Sequence, residues 1–186
     1  MFNLTIPKNR RWRIWTSYPL IEESTISSVE MLRLACEPNP MSIARYVAVE
    51  YLQAGGMNPY GLLGGHFQPS NAREIVFYVN TSPPDGSIFA HSLAGKLDII
   101  RQGLPHEFAL SILQGASRDY LSSLLGSGAL HFDCACHGEI GFSNHVFELL
   151  SRVLVRLLTI DLHFAPVSEL TYILEDVINS YSMSKF

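Results

Sequence analysis

The residues best suited to chemistry lie in one short segment near position 131. Side chains that bind metals or transfer protons occur close together there: His131, Asp133, Cys134, Cys136, His137 and His145. Cysteine and histidine at short spacing are typical of zinc sites. No second cysteine pair follows to complete a structural zinc site, so the only metal candidates are the weak set of His131, Asp133 and His137.

The same segment, Ala129–Gly141, has the pattern of a β-strand, and alternation along a strand divides its side chains between two faces. The alternation predicts Phe132, Cys134 and Cys136 on one face and His131, Asp133 and His137 on the other. With Phe132 in the core, both cysteines are buried and act as small hydrophobic residues. The pattern therefore predicts no structural metal and no cofactor.

Nucleophilic catalysis is an alternative function for this segment. Ser143 or Cys134 supplies a nucleophile, with His145 and Asp133 as its partners. The chain has no G-x-S-x-G elbow, and its glycine pairs match neither phosphate-binding pattern. A small hydrolytic or metal-dependent enzyme around His131, Asp133 and His137 is thus an alternative, and a non-catalytic protein is favoured.

A second candidate site lies near the N-terminus, where basic and aromatic residues alternate. Arg10, Arg11, Trp12 and Arg13 are followed by Trp15. Basic residues beside aromatic ones bind phosphate backbones and stack on bases. The structural alternative is a strand over Arg11–Tyr18 whose tryptophans pack on the domain and whose arginines face solvent.

Composition limits the class of protein. Charged residues make up 16% of the 186-residue chain, the net charge is −4, and the three cysteines form no disulfide framework. A low charge content favours oligomerisation or a lasting partner, while a negative balance argues against broad nucleic-acid binding. The cysteine usage and the lack of a signal peptide or membrane-spanning run predict a cytoplasmic protein and no membrane partner.

Periodicity indicates strands first and helices later. The predicted strands are Arg11–Tyr18, Met41–Gln53, Tyr60–Gln68, Glu74–Asn80, Ser87–Leu93, Ala129–Gly141 and Thr159–Phe164. Helices are predicted over Ser24–Cys36, from Pro105 to about Leu124, from the N-cap Ser143 to Leu158, and after Pro166. Within the second of these helices, Gly115 marks a close backbone approach or a short break. The pattern favours an α+β fold with helices on one face of a sheet.

Several short motifs occur in the same order as in domain IV of elongation factor G. Gly55-Gly56 precedes Tyr60-Gly61, and Gly103-Leu104-Pro105-His106-Glu107-Phe108 opens a long helix. Ser127-Gly128-Ala129-Leu130 then leads into a strand with Asp133 and a serine-led helix, Ser143–Phe147. Residues 41 to about 158 therefore resemble that domain.

The resemblance implies a fold like domain 2 of ribosomal protein S5, a mixed four-stranded sheet with two helices on one face. Residues 1–40 would be an N-terminal extension, 41–160 the core, and 161–186 a C-terminal strand and helix. It also implies a stand-alone binding module that docks on RNA or the ribosome. The contacts would come from Arg10, Arg11, Trp12 and Arg13 and from the loop residues Gly55, Gly56, Met57, Asn58 and Tyr60.

Two departures limit what the resemblance carries. Met57 and Asn58 stand where the family has a basic residue after the two glycines, and the chain has no GTP-binding motif. The resemblance therefore implies a scaffold rather than a translocating factor. A protein-interaction or oligomeric protein that uses the same fold without nucleic acid is the alternative function.

Overall fold

The computed structural model describes residues 1–7, 9–21, 25–118, 124–141 and 143–183, with the backbone alone for 181–183. Within these residues the strands are β1 (Phe2–Ile6), β2 (Arg10–Trp15), β3 (Ser28–Ala35), β4 (Arg45–Gln53), β5 (Tyr60–Pro69), β6 (Glu74–Thr81), β7 (Ile100–Gln102) and β8 (Gly128–Gly138). They form one sheet in the order β1-β2-β4-β5-β8-β6-β3, with β7 paired to β8. Strands β6 and β8 are parallel, and the other described pairs are antiparallel.

The helices share a hydrophobic core with one face of the sheet. A 3-10 turn, His106–Phe108, leads into α1 (Ala109–Ser117), and α2 (Asn144–Leu158) and α3 (Val167–Met183) follow. Gly115 of α1 lies against the backbone of Glu148 and the hydroxyl of Ser151 on α2, so a side chain there would push the two helices apart. Gly115 is thus a close approach, one of the two roles predicted for it. No helix in the described ranges is long and apolar enough to cross a membrane.

The α+β class is confirmed, but the sheet has eight strands in the described residues rather than the predicted four. The additional strands include β1, β2 and β3, which come from the region expected to form an extension. Pairing of β2 with β4 and of β3 with β6 places both ends of that region in the same sheet. The division into extension, core and appendage stays a prediction.

The predicted helix over Ser24–Cys36 is wrong for residues 28–35, which form β3, and Ser24 lies outside the described residues. Along β3 exposed and half-buried residues alternate strictly, with Val29 and Met31 about half exposed. The weak helical pattern is overridden because β6 pairs with all eight residues of β3. Pairing with a neighbouring strand is a tertiary effect that local propensity does not contain.

Three other predicted elements differ from the structure. Ser87–Leu93 forms a loop with one isolated bridge, between Ile88 and Arg101, and Thr159–Phe164 forms turns after α2. The helix expected from Pro105 begins as a 3-10 turn and reaches α1 only at Ala109. Part of its predicted C-terminal half, including Tyr120 and Leu121, lies outside the described residues.

The sheet face opposite the helices is divided into two halves. Over β2, β4 and β5 it is covered by residues 82–99, which we call the covering loop, and Phe89 and Ala94 of this loop pack on Trp15, Leu52 and Leu62. Over β3, β6 and the first half of β8 no described element covers it, and we call this half the uncovered face. Val29, Met31, Tyr78 and His131 are its central residues.

A β-bulge lies where the two halves meet. Gly65 pairs with Phe132 and Gly64 with Cys134, so Asp133 is an extra residue with no partner on β5. One extra residue reverses the alternation of the side chains that follow it. Phe132 therefore packs with the helices, whereas Cys134 and Cys136 face the covering loop. The predicted grouping of these three side chains on one face is wrong for this reason.

Candidate functional site

The arginines predicted to bind RNA have partners within the protein. Arg11 donates to the Leu93 carbonyl at 2.8 Å, and Arg13 donates to the His91 carbonyl at 2.9 Å. Arg13 also lies 3.1 Å from the Glu50 carboxylate. These bonds hold the covering loop on β2. The tryptophans pack as the structural alternative expects, since Trp12 is 1% exposed.

Glu50 on β4 is the fully buried acid that these arginines face. Its carboxylate accepts hydrogen bonds from the Leu93 backbone N–H at 2.6 Å and from the Tyr60 hydroxyl at 2.8 Å. Burial raises the pKa of Glu50, and the Leu93 N–H and the Arg13 guanidinium oppose that rise. A buried carboxylate with these partners joins β2, β5 and the covering loop, which is a structural role.

The predicted glycine loop is an exposed turn next to the loop that follows β8. Gly55 and Gly56 have positive φ, and the Gly55 N–H donates to the Asn58 side chain at 3.0 Å. The Tyr60 N–H donates to the Gly141 carbonyl at 2.9 Å, which brings the two loops together. Met57 is 76% exposed at this tip, whereas the predicted contact residue Tyr60 is fully buried.

The histidine and cysteine cluster is divided by the sheet. Burial raises the pKa of the Cys134 thiol to about 12, and Cys136 is fully buried. The bulge turns His137 to the helix side, where it is 5% exposed and its ring lies 6.5 Å from that of Phe108. His145 is on α2, across the sheet from the bulge. Neither the hydrolase arrangement nor the metal set is therefore assembled, and among the described residues no group of three or more metal-binding side chains occurs.

Asp133 and His131 do belong to one cluster, with partners that the sequence did not indicate. The Asp133 Oδ2 atom accepts from the Tyr18 hydroxyl at 2.8 Å and lies 2.8 Å from Nδ1 of His66. A carboxylate only accepts, so this contact places a proton on Nδ1. The other oxygen, Oδ1, is buried without a hydrogen-bond partner, an arrangement that costs roughly 1–3 kcal/mol.

A row of stacked rings crosses the sheet beside Asp133. The ring of His131 stacks on His66 at 4.8 Å and on Tyr78 at 4.5 Å, and Tyr46 stacks under Tyr18 at 3.9 Å. Burial lowers the pKa of His131, and the neighbouring His66 adds to this shift. Burial also raises the pKa of Tyr18, and its hydrogen bond to Asp133 adds to that rise. Both shifts favour the neutral forms of the His131 and Tyr18 rings.

Two cavities adjoin β8. One, of about 590 Å³, lies at the bulge and is lined by Asp133, Asn80 and Tyr18 among others. The second, of about 1000 Å³, is a groove that includes His137, His106 and the ion pair of Arg101 with Glu139 at 2.6 Å. The first cavity is lined by Asp133 and Cys134 of the bulge, and its volume lies within the usual range of small-molecule sites.

Sequence reasoning identified His131 and Asp133 but missed Tyr18, His66 and Asn80. No sequence-spacing rule links Tyr18 to Asp133. The two side chains meet only because the segment before β3 folds back towards β8. Gly64-Gly65 was the available signal, since glycine within a strand often marks a bulge or a close approach. A side chain at Gly64 would collide with the Tyr46 hydroxyl.

Comparison with known proteins adds no identification. The chain matches no protein-family model, and no curated protein or solved structure is significantly similar to it. The function is therefore inferred from the geometry alone.

Proposed function

We propose that this protein is a non-catalytic binding module that associates with a second copy of itself through the outer edge of β3. One observation carries the proposal. The strand β3 is the last strand of the sheet and has β6 as its strand neighbour, so its outer backbone groups have no strand partner in the described ranges. An eight-residue edge of this kind is a template for another strand.

The side chains around this edge support an association. Ile26, before β3, is 56% exposed, and Val29 and Met31, two residues apart on one face of β3, are 51% and 54% exposed. Apolar side chains grouped on a surface are typical of protein interfaces. The charged fraction of 16% also leaves fewer charges to protect the edge than a typical chain has.

Charge limits how two copies of β3 can pair. Two copies of β3 can pair antiparallel around a twofold axis perpendicular to the sheet, with opposed side chains on the same face. The residue at this axis then lies opposite the same residue of the other copy. Centring on Glu30 or Arg33 would oppose like charges, which is destabilising. Centring on Met31 or Leu32 avoids this conflict, and these two registers are the ones we propose.

Sedimentation equilibrium of the wild-type protein tests the association. We expect a concentration-dependent dimer for the wild-type protein. Met31→Lys should be monomeric. In the register centred on residue 31 the introduced charge lies opposite the same charge of the other copy, and in the register centred on residue 32 it lies opposite Arg33. Met57→Lys is the matched control, since Met57 is exposed in the glycine loop, and it should dimerise like wild type. A wild-type monomer at all concentrations would overturn the proposal.

Cysteine cross-linking determines the register. In a Cys36→Ser background, Met31→Cys should form an intermolecular disulfide if the dimer is centred on residue 31, and Leu32→Cys if it is centred on residue 32. The Cα atoms of a disulfide lie about 4.4–6.8 Å apart, which opposed residues on paired strands satisfy. If neither variant cross-links faster than Met57→Cys, strand pairing through β3 is ruled out.

Docking on RNA or the ribosome is the second candidate, and the arrangement of residues 45–158 supports it. Four adjacent strands, β4, β5, β8 and β6, lie on α1 and α2, as the likeness to domain IV of elongation factor G implies. The glycine loop and the loop after β8 also meet at one tip. Co-sedimentation with ribosomes at low and moderate salt tests this candidate. Pelleting that fades with salt and is lost in Asn58→Asp supports it, and no pelleting at either salt overturns it.

A further inference from the structure

A groove of about 1000 Å³ lies at the end of the sheet where β6 and β8 end. Its floor consists of buried residues, namely Thr81, Ser82, Pro105, Phe108, His137 and Gly138. Two groups of residues border this floor. The first comes from the start of β3 and the 3-10 turn (Ser27, Ser28, His106 and Glu107), and the second from the covering loop, β7 and the residue after β8 (Pro84, Asp85, Arg101 and Glu139). The volume is at the upper limit of small-molecule sites, so the groove is large enough for a short peptide.

The polar side chains of the floor are bonded within the protein. The hydroxyl groups of Thr81 and Ser28 form a hydrogen bond of 2.8 Å, and the Ser82 hydroxyl accepts from the Leu104 N–H at 2.7 Å. Nδ1 of His137 lies 3.1 Å from a main-chain carbonyl oxygen. The remaining surface of the groove is mostly apolar. The floor therefore favours an apolar side chain of a ligand, which is stabilised by its removal from water.

Both bordering groups carry carboxylates. Glu107 belongs to the first group, and Asp85 and Glu139 belong to the second. Arg101 is the only arginine or lysine that lines the groove in the described part of the chain. It already donates to Glu139 at 2.6 Å and to the Gly86 carbonyl at 3.2 Å. Asp85 and Glu107 are exposed and form no hydrogen bond or ion pair with a described residue. The border of the groove is therefore complementary to positive charge on both sides of an apolar floor.

We infer that this groove binds a basic peptide segment of a partner protein, with an apolar side chain on the floor and an arginine or lysine before and after it. Arginine and lysine form charge-assisted hydrogen bonds with carboxylates, and complementary charge selects the partner. A small cation would leave most of the apolar floor in water, whereas a peptide covers the floor and reaches both bordering groups. The site does not depend on self-association, because only Ser27 and Ser28 come from β3 or the residue before it.

Fluorescence anisotropy with labelled pentapeptide amides tests the inference on the wild-type protein. The peptides have glycine at both ends, leucine at the centre, and either arginine or its uncharged analogue citrulline on both sides of the leucine. We expect the arginine peptide to bind at least about tenfold more tightly than the citrulline peptide, since hydrogen bonds to charged groups are the stronger ones. An arginine peptide with serine in place of leucine should bind several-fold more weakly, because the floor is apolar. Equal binding within either pair, or no binding of the arginine peptide, overturns the inference.

A double variant locates the site. Asp85→Asn with Glu107→Gln removes two carboxylates from the border, so the arginine peptide should bind about tenfold more weakly while the citrulline peptide changes little. Asp161→Asn with Glu169→Gln is the control, because it removes the same charge from exposed acids after α2 and in the first turn of α3. Its peptide binding should be unchanged, and equal weakening by both double variants would contradict the inference. On wild-type protein, the arginine peptide should shift the amide resonance of Gly138. Shifts confined to other regions would contradict the inference even if the Asp85 and Glu107 variant does not fold.

Discussion

The two halves of the sheet face opposite the helices are built from similar side chains but differ in how far these side chains are buried. Trp15, Leu52 and Leu62 on one half are buried under the covering loop. Val29 and Met31 on the other half are about half exposed. Apolar content does not explain this difference in burial, since both halves contain large apolar side chains. The difference lies in the polar groups that hold a loop in place. A loop that covers a sheet face buries its own backbone N–H and C=O groups, and these groups need hydrogen-bond partners.

On the covered half those partners are present. Glu50 accepts from the Leu93 N–H, and Arg11 and Arg13 donate to carbonyl groups of the same loop. On the uncovered face the equivalent polar groups bond to one another, as Tyr18 and His66 do to Asp133. The comparison teaches that buried polar anchors decide which half of an apolar sheet face is closed by its own chain and which is left for a partner.

Removal of the central anchor should have the largest effect. Glu50→Ala leaves Arg13 and the Tyr60 hydroxyl without their buried acceptor, so we expect a loss of about 3–5 kcal/mol in the free energy of unfolding. Urea denaturation measures it. The control is Glu37→Ala, which removes an exposed ion pair to Arg73 and should cost about 0–1 kcal/mol. A loss below about 1 kcal/mol for Glu50→Ala would show that the loop is held by other contacts.

Deleting one aromatic ring from each half compares them directly. Phe89 of the covering loop is 6% exposed, so Phe89→Ala should cost about 3 kcal/mol. Tyr78 is only half buried and stacks on His131, so Tyr78→Ala should cost about 1 kcal/mol. Both values come from denaturant unfolding at low protein concentration. Equal losses would mean that the covering loop contributes no more burial than the uncovered face.

The two halves should also respond to pH in opposite directions. Burial raises the pKa of Glu50, so its contribution to stability is present below its unfolded pKa of about 4.3 and is lost as pH rises through the folded value. Burial lowers the pKa of His131, so its contribution is present above about 6.5 and is lost as pH falls below that value.

Non-titrating variants separate these contributions. Relative to wild type, Glu50→Gln should gain stability as pH rises from about 4, and His131→Gln should gain it as pH falls below about 6.5. Urea unfolding of both variants and wild type across this pH range measures the differences. Shifts of the same sign in the two variants would contradict the opposed environments of the two halves.

The smallest effect on the monomer is expected on the uncovered face. Met31→Lys places a charge on a side chain that is 54% exposed, so the free energy of unfolding should change by no more than about 0.5 kcal/mol. Thermal or urea unfolding at a concentration where wild type is monomeric measures it. A loss above about 2 kcal/mol would show that Met31 is needed for the fold, and its effect on dimerisation would then have a structural cause.

Residue patterns identified the strongest elements. Glu74–Asn80 was predicted as a strand from its β-branched and aromatic residues, and β6 spans Glu74–Thr81. The helix after Ser143 was predicted from its N-cap and from the helical period of its apolar residues, and α2 spans Asn144–Leu158. The burial of Cys134 and Cys136 was also predicted correctly, although for the opposite face of the sheet. Such features depend on neighbours in the chain, which is why periodicity finds them.

Only the tertiary structure decided how the candidate site is composed. The extra residue Asp133 appears when β8 is paired against Gly64 and Gly65, and it separates His131 from His137. Likewise, the sequence alone predicts that Arg11 and Arg13 are free cations. In the structure, the covering loop, which is distant in the chain, places its carbonyl groups within hydrogen-bond distance of them. Composition and periodicity determined the α+β class, because they report which side chains must be buried. Register and loop placement come from contacts between distant segments, and those contacts determine which polar groups remain available for a ligand or a partner.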